Sequence, residues 1–429
     1  MPHTASDSNA LLARRQRLLG PAYRLFYERP LQLVSGQGVW LRGADGRDYL
    51  DAYNNVVCVG HCHPRVVEAI ARQAATLNTH TRYLHDGILD YAERLLATLP
   101  GELGQGHAMF TCSGSEANDL ALRIARTHTR AQGVIITHNA YHGVTAALAE
   151  ASPSLGTYVK LGAAVRTVPA PQPWGLPPEQ AAQAFAAGVQ AAIDDLRLSG
   201  LGVAALLVDT VFSSDGIHTD PLGLLGPAVE AVRAAGGVFI ADEVQPGFGR
   251  TGDTFWGFAR HGVVPDIVTL GKPMGNGHPV AGLAVQRDVL AAFARECRYF
   301  NTFGGNPVAM AAASAVLDVL EAEGLQANAQ RTGAYLRAGL QRLAARHPVI
   351  AEVRGAGLFV GVELRGADGQ PATERATRLV NQLRDHEGIL LSATGPQAHI
   401  LKIRPPLVFE PAHADYLVNG IDRALTALD

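Results

Sequence analysis

Short, almost unbroken apolar runs recur through the middle of the chain, at residues 133–137, 203–208, 238–241 and 267–270. Strands covered on both faces read this way, because neither side of the pleat meets water. Between the runs lie helical stretches. In residues 116–126, Ala117, Leu120, Ala121 and Ile124 fall at i, i+3, i+4 and i+7 and form one apolar stripe. Strand and helix in alternation predict an α/β fold, a mainly parallel sheet with helices on both faces. The ends of the chain differ. Residues 36–51 set Gly36, Gly38, Gly43 and Gly46 among Val39, Trp40, Leu41, Tyr49 and Leu50, which predicts a hairpin turning at Asp45-Gly46. Beyond residue 312, long helical stretches precede Val360-Gly361-Val362-Glu363-Leu364, a strand of a second sheet. The expected organisation is a large domain over 61–311 and a smaller α+β domain built from both termini, 1–60 and 312–429. The Pro-rich segment 168–178 is expected to be a long surface connection.

Composition narrows the function classes. With 429 residues, 47% of them hydrophobic, the chain buries a core large enough for two domains. Its 36 basic and 39 acidic side chains leave a net charge of -3, too balanced to draw in nucleic acid or an anionic membrane. No segment reaches the ~18 uncharged apolar residues of a membrane span. Arg14, Arg15 and Arg17 precede no long apolar run, so a secretory signal is not expected. Four cysteines, Cys58, Cys62, Cys112 and Cys297, are too sparse to staple this length, which favours a reducing, cytoplasmic setting. His61-Cys62-His63 after Cys58 offers zinc-type donors. No second ligand pair follows, however, and Pro64 with Val66, Val67 and Ile70 suits a helix start, so no metal is expected.

Candidate chemistry sits where the apolar runs end. Residues 238–241 run into Asp242-Glu243 and residues 267–270 into Gly271-Lys272, so a carboxylate and an amine leave the carboxyl ends of two strands. Open α/β sheets bind ligands at that edge. A lysine there is otherwise an ordinary solvated strand end. Thr111-Cys112-Ser113-Gly114-Ser115-Glu116-Ala117-Asn118 leads into the amphipathic helix. Gly114 permits close approach, Ser113 and Ser115 offer hydroxyls, and a helix amino terminus favours an anion such as phosphate. The plainer alternative is a helix cap with Ser115 as the capping residue. Tyr141-His142-Gly143 places an aromatic where it either flanks a planar ring or packs in the core.

Ser113 to Asn118, Tyr141-His142-Gly143, the run 242–252 (Asp-Glu-Val-Gln-Pro-Gly-Phe-Gly-Arg-Thr-Gly) and the run 265–272 ending in Lys272 together resemble the class III aminotransferases, in that family's order. The resemblance extends from about residue 20 to the end. It implies a fold type I enzyme with pyridoxal 5'-phosphate as cofactor, working as a homodimer or dimer of dimers with shared active sites. Lys272 resembles the Schiff-base lysine and Asp242 the partner of the pyridine nitrogen. Val244 and Tyr141 would flank the ring, with His142 beside it, and Gln245 would reach the ring hydroxyl. Ser113, Gly114 and Ser115 would hold the phosphate, joined by Thr302 from the neighbouring subunit. A lysine amine can condense with the cofactor aldehyde and later act as acid and base, while an anionic aspartate keeps the ring nitrogen protonated.

The expected reaction is transfer of an amino group from an amine or amino acid to a keto acid. Two departures bear on it. Asp209-Thr210-Val211-Phe212 replaces a motif that many members open with glutamate, and Lys402 stands three residues before Pro405, where many have a carboxylate-clamping arginine. Lysine lacks the two-pronged fork of arginine, though Arg404 lies nearby. Asn54-Asn55-Val56, the run 59–64, Leu84-His85-Asp86, the run 271–280 and Leu401-Lys402-Ile403 are especially similar to the ethanolamine-phosphate and phosphohydroxylysine phospho-lyases, which eliminate phosphate and ammonia. Elimination is therefore the alternative, with Asn55, Asp209, Lys402 and Arg404 as candidate substrate contacts. The plain reading of Lys402 and Arg404 is surface charge on a strand edge. A cofactor-binding protein without catalysis would not need Asp242, Gln245 and Lys272 all intact.

Overall fold

The computed structural model describes residues 8–171 and 176–429; part of the Pro-rich connection, 172–175, lies outside them. Three strands near the amino terminus, β1 (Leu33–Gln37), β2 (Trp40–Gly43) and β3 (Asp48–Asp51), form an antiparallel meander, with Asp45-Gly46 in the turn between β2 and β3. A helix follows at Pro64–Ala74.

Seven strands then build the large sheet: β4 (His107–Thr111), β5 (Gly133–Thr137), β6 (Val165–Val168), β7 (Val203–Asp209), β8 (Val238–Asp242), β9 (Ile267–Leu270) and β10 (Ala281–Val285). Their order is β4-β10-β9-β8-β7-β5-β6. The sheet is mainly parallel, as expected; β10 alone runs against both of its neighbours. Side chains along these strands alternate between two cores. Ile135, Leu206, Val208, Phe239 and Ala241 face one, while Val134, Ile136, Ala205, Leu207 and Ile240 face the other. Helices Pro178–Leu198 and Gly226–Ala234 cover the first face, and helix Gly114–Thr129 covers the second with its Leu120, Ala121 and Ile124 stripe. Each fully buried Val, Leu or Ile contributes about 1.5–3 kcal/mol, so the double covering explains why the strands tolerate almost no polar residue before their ends.

The carboxyl-terminal part adds β11 (Ile350–Ala356), β12 (Phe359–Leu364), β13 (Ile389–Leu390), β14 (Ser392–Thr394) and β15 (Ile400–Ile403). β13 pairs in parallel with β3, so both ends of the chain share one sheet. The third sheet has the order β11-β12-β15-β14. Lys402 pairs with Gly361 on one side and Ser392 on the other, which makes β15 an inner strand. Both Lys402 and Arg404 are buried, at 6% exposure each. The strand-edge surface reading of these two charges is thereby corrected. No helix among the described residues is long and apolar enough to cross a membrane.

Candidate active site

Parallel pairing brings the polar strand ends into one row. Asp209 at the end of β7 is in register with Asp242 at the end of β8, and Asp242 with Thr269 of β9, just before Lys272. Below this edge lies a cavity lined among others by Gly114, Ser115, Tyr141, Asp242, Val244, Gln245 and Lys272. Nine sequence-predicted residues thus come together, with His142 and Asp209 among them on the wall.

Asp242 is almost fully buried and every hydrogen bond it accepts is accounted for. Oδ2 accepts from Asn118 Nδ2 at 2.9 Å and from His142 Nδ1 at 2.7 Å, and Oδ1 accepts from the Val244 N–H at 3.1 Å. An ionised carboxylate only accepts, which places the proton of that contact on His142 Nδ1. Asn118 is held in turn: Thr269 Oγ1 donates to its Oδ1 at 2.6 Å, and its own amide also donates to the His142 carbonyl at 2.9 Å. Strand, helix and turn are thus fixed about one carboxylate.

The helix amino terminus differs from expectation in one detail. Ser113, not Ser115, is the cap: its Oγ accepts from the Glu116 N–H, while the Glu116 carboxylate accepts from the Ser113 N–H at 2.9 Å. The Ser113 hydroxyl is therefore committed to the helix and does not line the cavity. Ser115 is left in the first turn with its Oγ accepting from the Val144 N–H at 3.2 Å. Gly143 is required here, since a Cβ at this residue (φ 147°) would lie 2.7 Å from Ser115 Oγ. Val244 closes the cavity against Gly114, where a Cβ would meet it at 3.0 Å. Tyr141 is 36% exposed on the wall, so it is no core residue.

Lys272 enters the cavity from the turn after β9. No described residue accepts a hydrogen bond from its amine. Burial, reinforced by the Arg404 charge, pushes the amine below the ordinary lysine range, while Asp242 and Asp209 pull the other way. Asp209 is raised by burial and by the charge of Asp242, against hydrogen bonds from Ser213 and Val211 and the charge of Lys402. A chain of contacts links these groups to the third sheet. Ser213 Oγ donates to Asp209, Gln245 Nε2 donates to Ser213 Oγ at 2.6 Å, and the Arg404 guanidinium donates to Gln245 Oε1. Arg404 also lies 4.4 Å from the Tyr53 ring centroid, with its Nε buried and unpartnered. Lys402 Nζ donates to the Ser213 carbonyl at 3.2 Å, and burial together with Arg404 lowers it well below the ordinary range. Both cations thus stand directly behind Gln245 and Ser213.

Besides Ser113, Lys402 and Arg404, two further predicted residues are absent from the cavity lining of their own chain. Asn55 is buried with its Nδ2 unpartnered, and Thr302 is exposed in the turn before helix Pro307–Ala322. His61 and His63, considered as zinc donors, pair instead with Asp51 at 2.7 Å and Glu323 at 3.1 Å. Sequence reasoning missed Ser213, Tyr53, Thr269 and the role of Asn118. Only Asn118 carried a signal, one turn beyond Ser115 on the apolar side of a helix that has no other reason to bury an amide.

Residues 27–425 match the family model of class III aminotransferases. The chain is 41% identical over 429 residues to an alanine–glyoxylate aminotransferase 2-like protein of Drosophila melanogaster, covering 96% of this chain and 86% of that one. It is 37% identical over 440 residues to ethanolamine-phosphate phospho-lyase homolog 1 of Caenorhabditis elegans, covering 98% and 94%. A phospholyase from Arthrobacter, solved in complex with phosphoethanolamine, superimposes with a TM-score of 0.93 at 45% identity, covering 98% of this chain and 100% of that one. With the lysine, the carboxylate and the helix amino terminus gathered about one cavity, the chain belongs to the class III aminotransferase family, fold type I enzymes whose cofactor is pyridoxal phosphate.

Proposed function

We propose that this enzyme eliminates inorganic phosphate and ammonia from O-phosphoethanolamine or a similar phosphorylated amine, with Lys272 as the lysine that bears the cofactor. The observation that carries the reading is the pair of buried cations, Lys402 and Arg404. Each is held by uncharged oxygens, the Ser213 carbonyl and Gln245 Oε1, with no carboxylate in ion-pair distance among the described residues. Buried charge is costly unless an anion answers it. A lysine serves phosphate well as a point charge, whereas an α-carboxylate is better met by the arginine fork. The names of the Arthrobacter and Caenorhabditis relatives support the same reading. Transamination, the first expectation from sequence, becomes the second reading; the name of the Drosophila relative favours it.

The residues present fit pyridoxal phosphate. Gly114 and Ser115 would hold its phosphate at the helix amino terminus, where the N–H groups of the first turn have no partner within the helix. Ser113 would act through the cap and His142 through Asp242. Tyr141 and Val244 would flank the ring, Gln245 would reach its hydroxyl, and Asp242 would keep its nitrogen protonated. When bound, the cofactor supplies the electron sink that makes proton loss from the amine-bearing carbon feasible. Lys272 takes that proton, and its basicity, lowered by burial, leaves the amine more readily free to act as a base. Arg404 stabilises the charge that develops on the departing phosphate oxygen as the carbon–oxygen bond breaks. The balance is one O-phosphoethanolamine and one water to one acetaldehyde, one ammonia and one phosphate.

We further propose a homodimer or dimer of dimers in which the exposed Thr302 serves the neighbouring site. The division into segments 1–60, 61–311 and 312–429 fits the sharing of one sheet by both termini. A reducing, cytoplasmic setting fits four unpaired cysteines. Phosphate release and pyruvate consumption measured on one preparation test the reaction. Phosphate and ammonia released without keto acid are expected. Inertness to every phosphorylated amine, with stoichiometric conversion of pyruvate by an amine donor, would overturn elimination in favour of the second reading.

A further inference from the structure

Directly after Lys272 the chain makes one tight turn, Lys272–Gly275, and passes through Asn276 in the left-handed region at φ 49°, ψ 43°. Glycine fills such positions without strain, and asparagine is among the few other residues that tolerate them. Here the amide is used over a long range. Asn276 Oδ1 accepts from the Val59 N–H at 3.0 Å, and Nδ2 donates to the Gly60 carbonyl at 2.8 Å. Cys58 Sγ donates to the Pro273 carbonyl at 3.1 Å, on the other side of the same turn. The segment held in this way continues to the residues that follow β15: the Leu407 N–H donates to the Cys58 carbonyl at 2.7 Å and the Arg404 N–H to the Ala52 carbonyl at 2.9 Å. One stretch of chain, residues 52–60, therefore spans from the lysine turn to the arginine strand.

We propose that Asn276 is a positioning residue that locks the Lys272 turn to this stretch, so that the amine and the Arg404 guanidinium keep a fixed separation across the cavity. The inference rests on the reading of Lys272 as the cofactor-bearing base. A side chain serving only the local backbone would leave the lysine indifferent to its loss. One serving as a lock lets the turn loosen and water reach the amine.

Asn276→Gly keeps the left-handed backbone and deletes both side-chain bonds, and Asn276→Asp keeps the acceptor but loses the donor. Asn328→Ala is the structural control, because Asn328 Nδ2 clamps the Leu407 and Phe409 carbonyls at 2.7 and 2.9 Å without touching the lysine turn. Uptake of pyridoxal phosphate by the cofactor-free protein is followed by absorbance across pH. Only the free amine reacts, so the half-rate pH should rise by about half a unit in Asn276→Gly as burial weakens, and less in Asn276→Asp. Phosphate release from O-phosphoethanolamine at saturation should fall about tenfold, in line with a small misplacement of a reacting group, with KM changed less than threefold. Wild-type uptake profiles in both Asn276 variants, or an equal shift in Asn328→Ala, overturns the lock. If Asn276→Gly does not fold, Asn276→Asp alone decides by the same profile. Retention of the visible lysine–cofactor linkage in Lys272→Ala would instead sink the underlying reading. A wild type that releases no phosphate would leave the uptake profile as the deciding measurement.

Discussion

Replacing Asp242 by asparagine changes one charge in a carboxylate whose contacts are all known, so its consequences can be worked out contact by contact. Oδ2 accepts from two donors, Asn118 Nδ2 and His142 Nδ1, and Oδ1 from the Val244 N–H. An amide oxygen at the Oδ2 position keeps the first two bonds and turns its NH2 against the Val244 N–H. The flipped amide keeps the Val244 bond and sets NH2 against two donors. The first orientation therefore wins, at the cost of leaving the Val244 N–H and the new NH2 facing it unsatisfied, about 1–3 kcal/mol for each buried donor. The larger effect falls on the rate, because the anion that would hold the ring nitrogen protonated is gone. Loss of one preorganised electrostatic group costs about 10²–10³ in kcat. Asp242→Asn is expected to bind cofactor, unfold a few degrees lower, and release phosphate roughly two to three orders of magnitude more slowly at saturating substrate. Absorbance of the bound cofactor, thermal unfolding and a phosphate-release assay measure the three effects. Turnover within threefold of wild type, with cofactor fully bound, would refute the role given to Asp242.

Two further predictions concern the assembly and the pH range. Lys272→Ala chains, which should lack the visible linkage, and Thr302→Ala chains should complement when mixed, because one site of each mixed dimer then holds an intact lysine and an intact neighbouring threonine. Full activity in a demonstrated monomer would refute the shared site. Glu243 accepts from Thr210 Oγ1 at 2.7 Å and from the Gly257 and Phe258 N–H groups at 2.7 and 2.8 Å, yet burial pushes it up to about 7. A carboxyl raised on folding favours the native state below its unfolded pKa and loses that advantage as pH rises through the folded one. Between pH 4.5 and 7 this group should therefore withdraw roughly 3 kcal/mol of stability. Denaturant titrations across that window should show a slope that Glu243→Gln abolishes from a lower baseline, since an amide cannot accept from all three donors. An unchanged slope in the variant would assign the pH dependence elsewhere.

The strand that ends in Asp242 and the one that leads to Lys272 are legible because both of their faces are buried, which strips polar residues from each run until the carboxyl end. Their neighbours are less so. Ala281–Val285 is an equally apolar run, and nothing in apolarity records that it pairs antiparallel with both β4 and β9. The cap was readable in principle: Ser113 and Glu116 stand three apart, the spacing of a reciprocal cap, whereas Ser115 has no such partner. Sequence-distant contacts are a different matter. The Arg404–Gln245 bond spans 159 positions and the Lys402–Ser213 bond 189, so no local pattern announces either.

That distance explains why Lys402 and Arg404 resemble a solvated strand edge in sequence. Along β15 and just past it, Leu401 and Ile403 alternate with Lys402 and Arg404, the pattern of a strand with one wet face. In the fold both faces are buried, and the charged one is turned toward Ser213, Gln245 and Tyr53. Two cations on the inner face of a central strand are costly unless negative charge lies within reach, and burial accordingly lowers both. Asp209 contributes to Lys402, and Asp209 and Asp51 contribute to Arg404, all from beyond ion-pair distance. On the proposed reading the rest comes from the phosphate of the bound substrate. An elimination substrate brings a phosphate to this face and releases it as the product, so binding and turnover draw on the same uncompensated charge. Free phosphate should for that reason compete with the substrate.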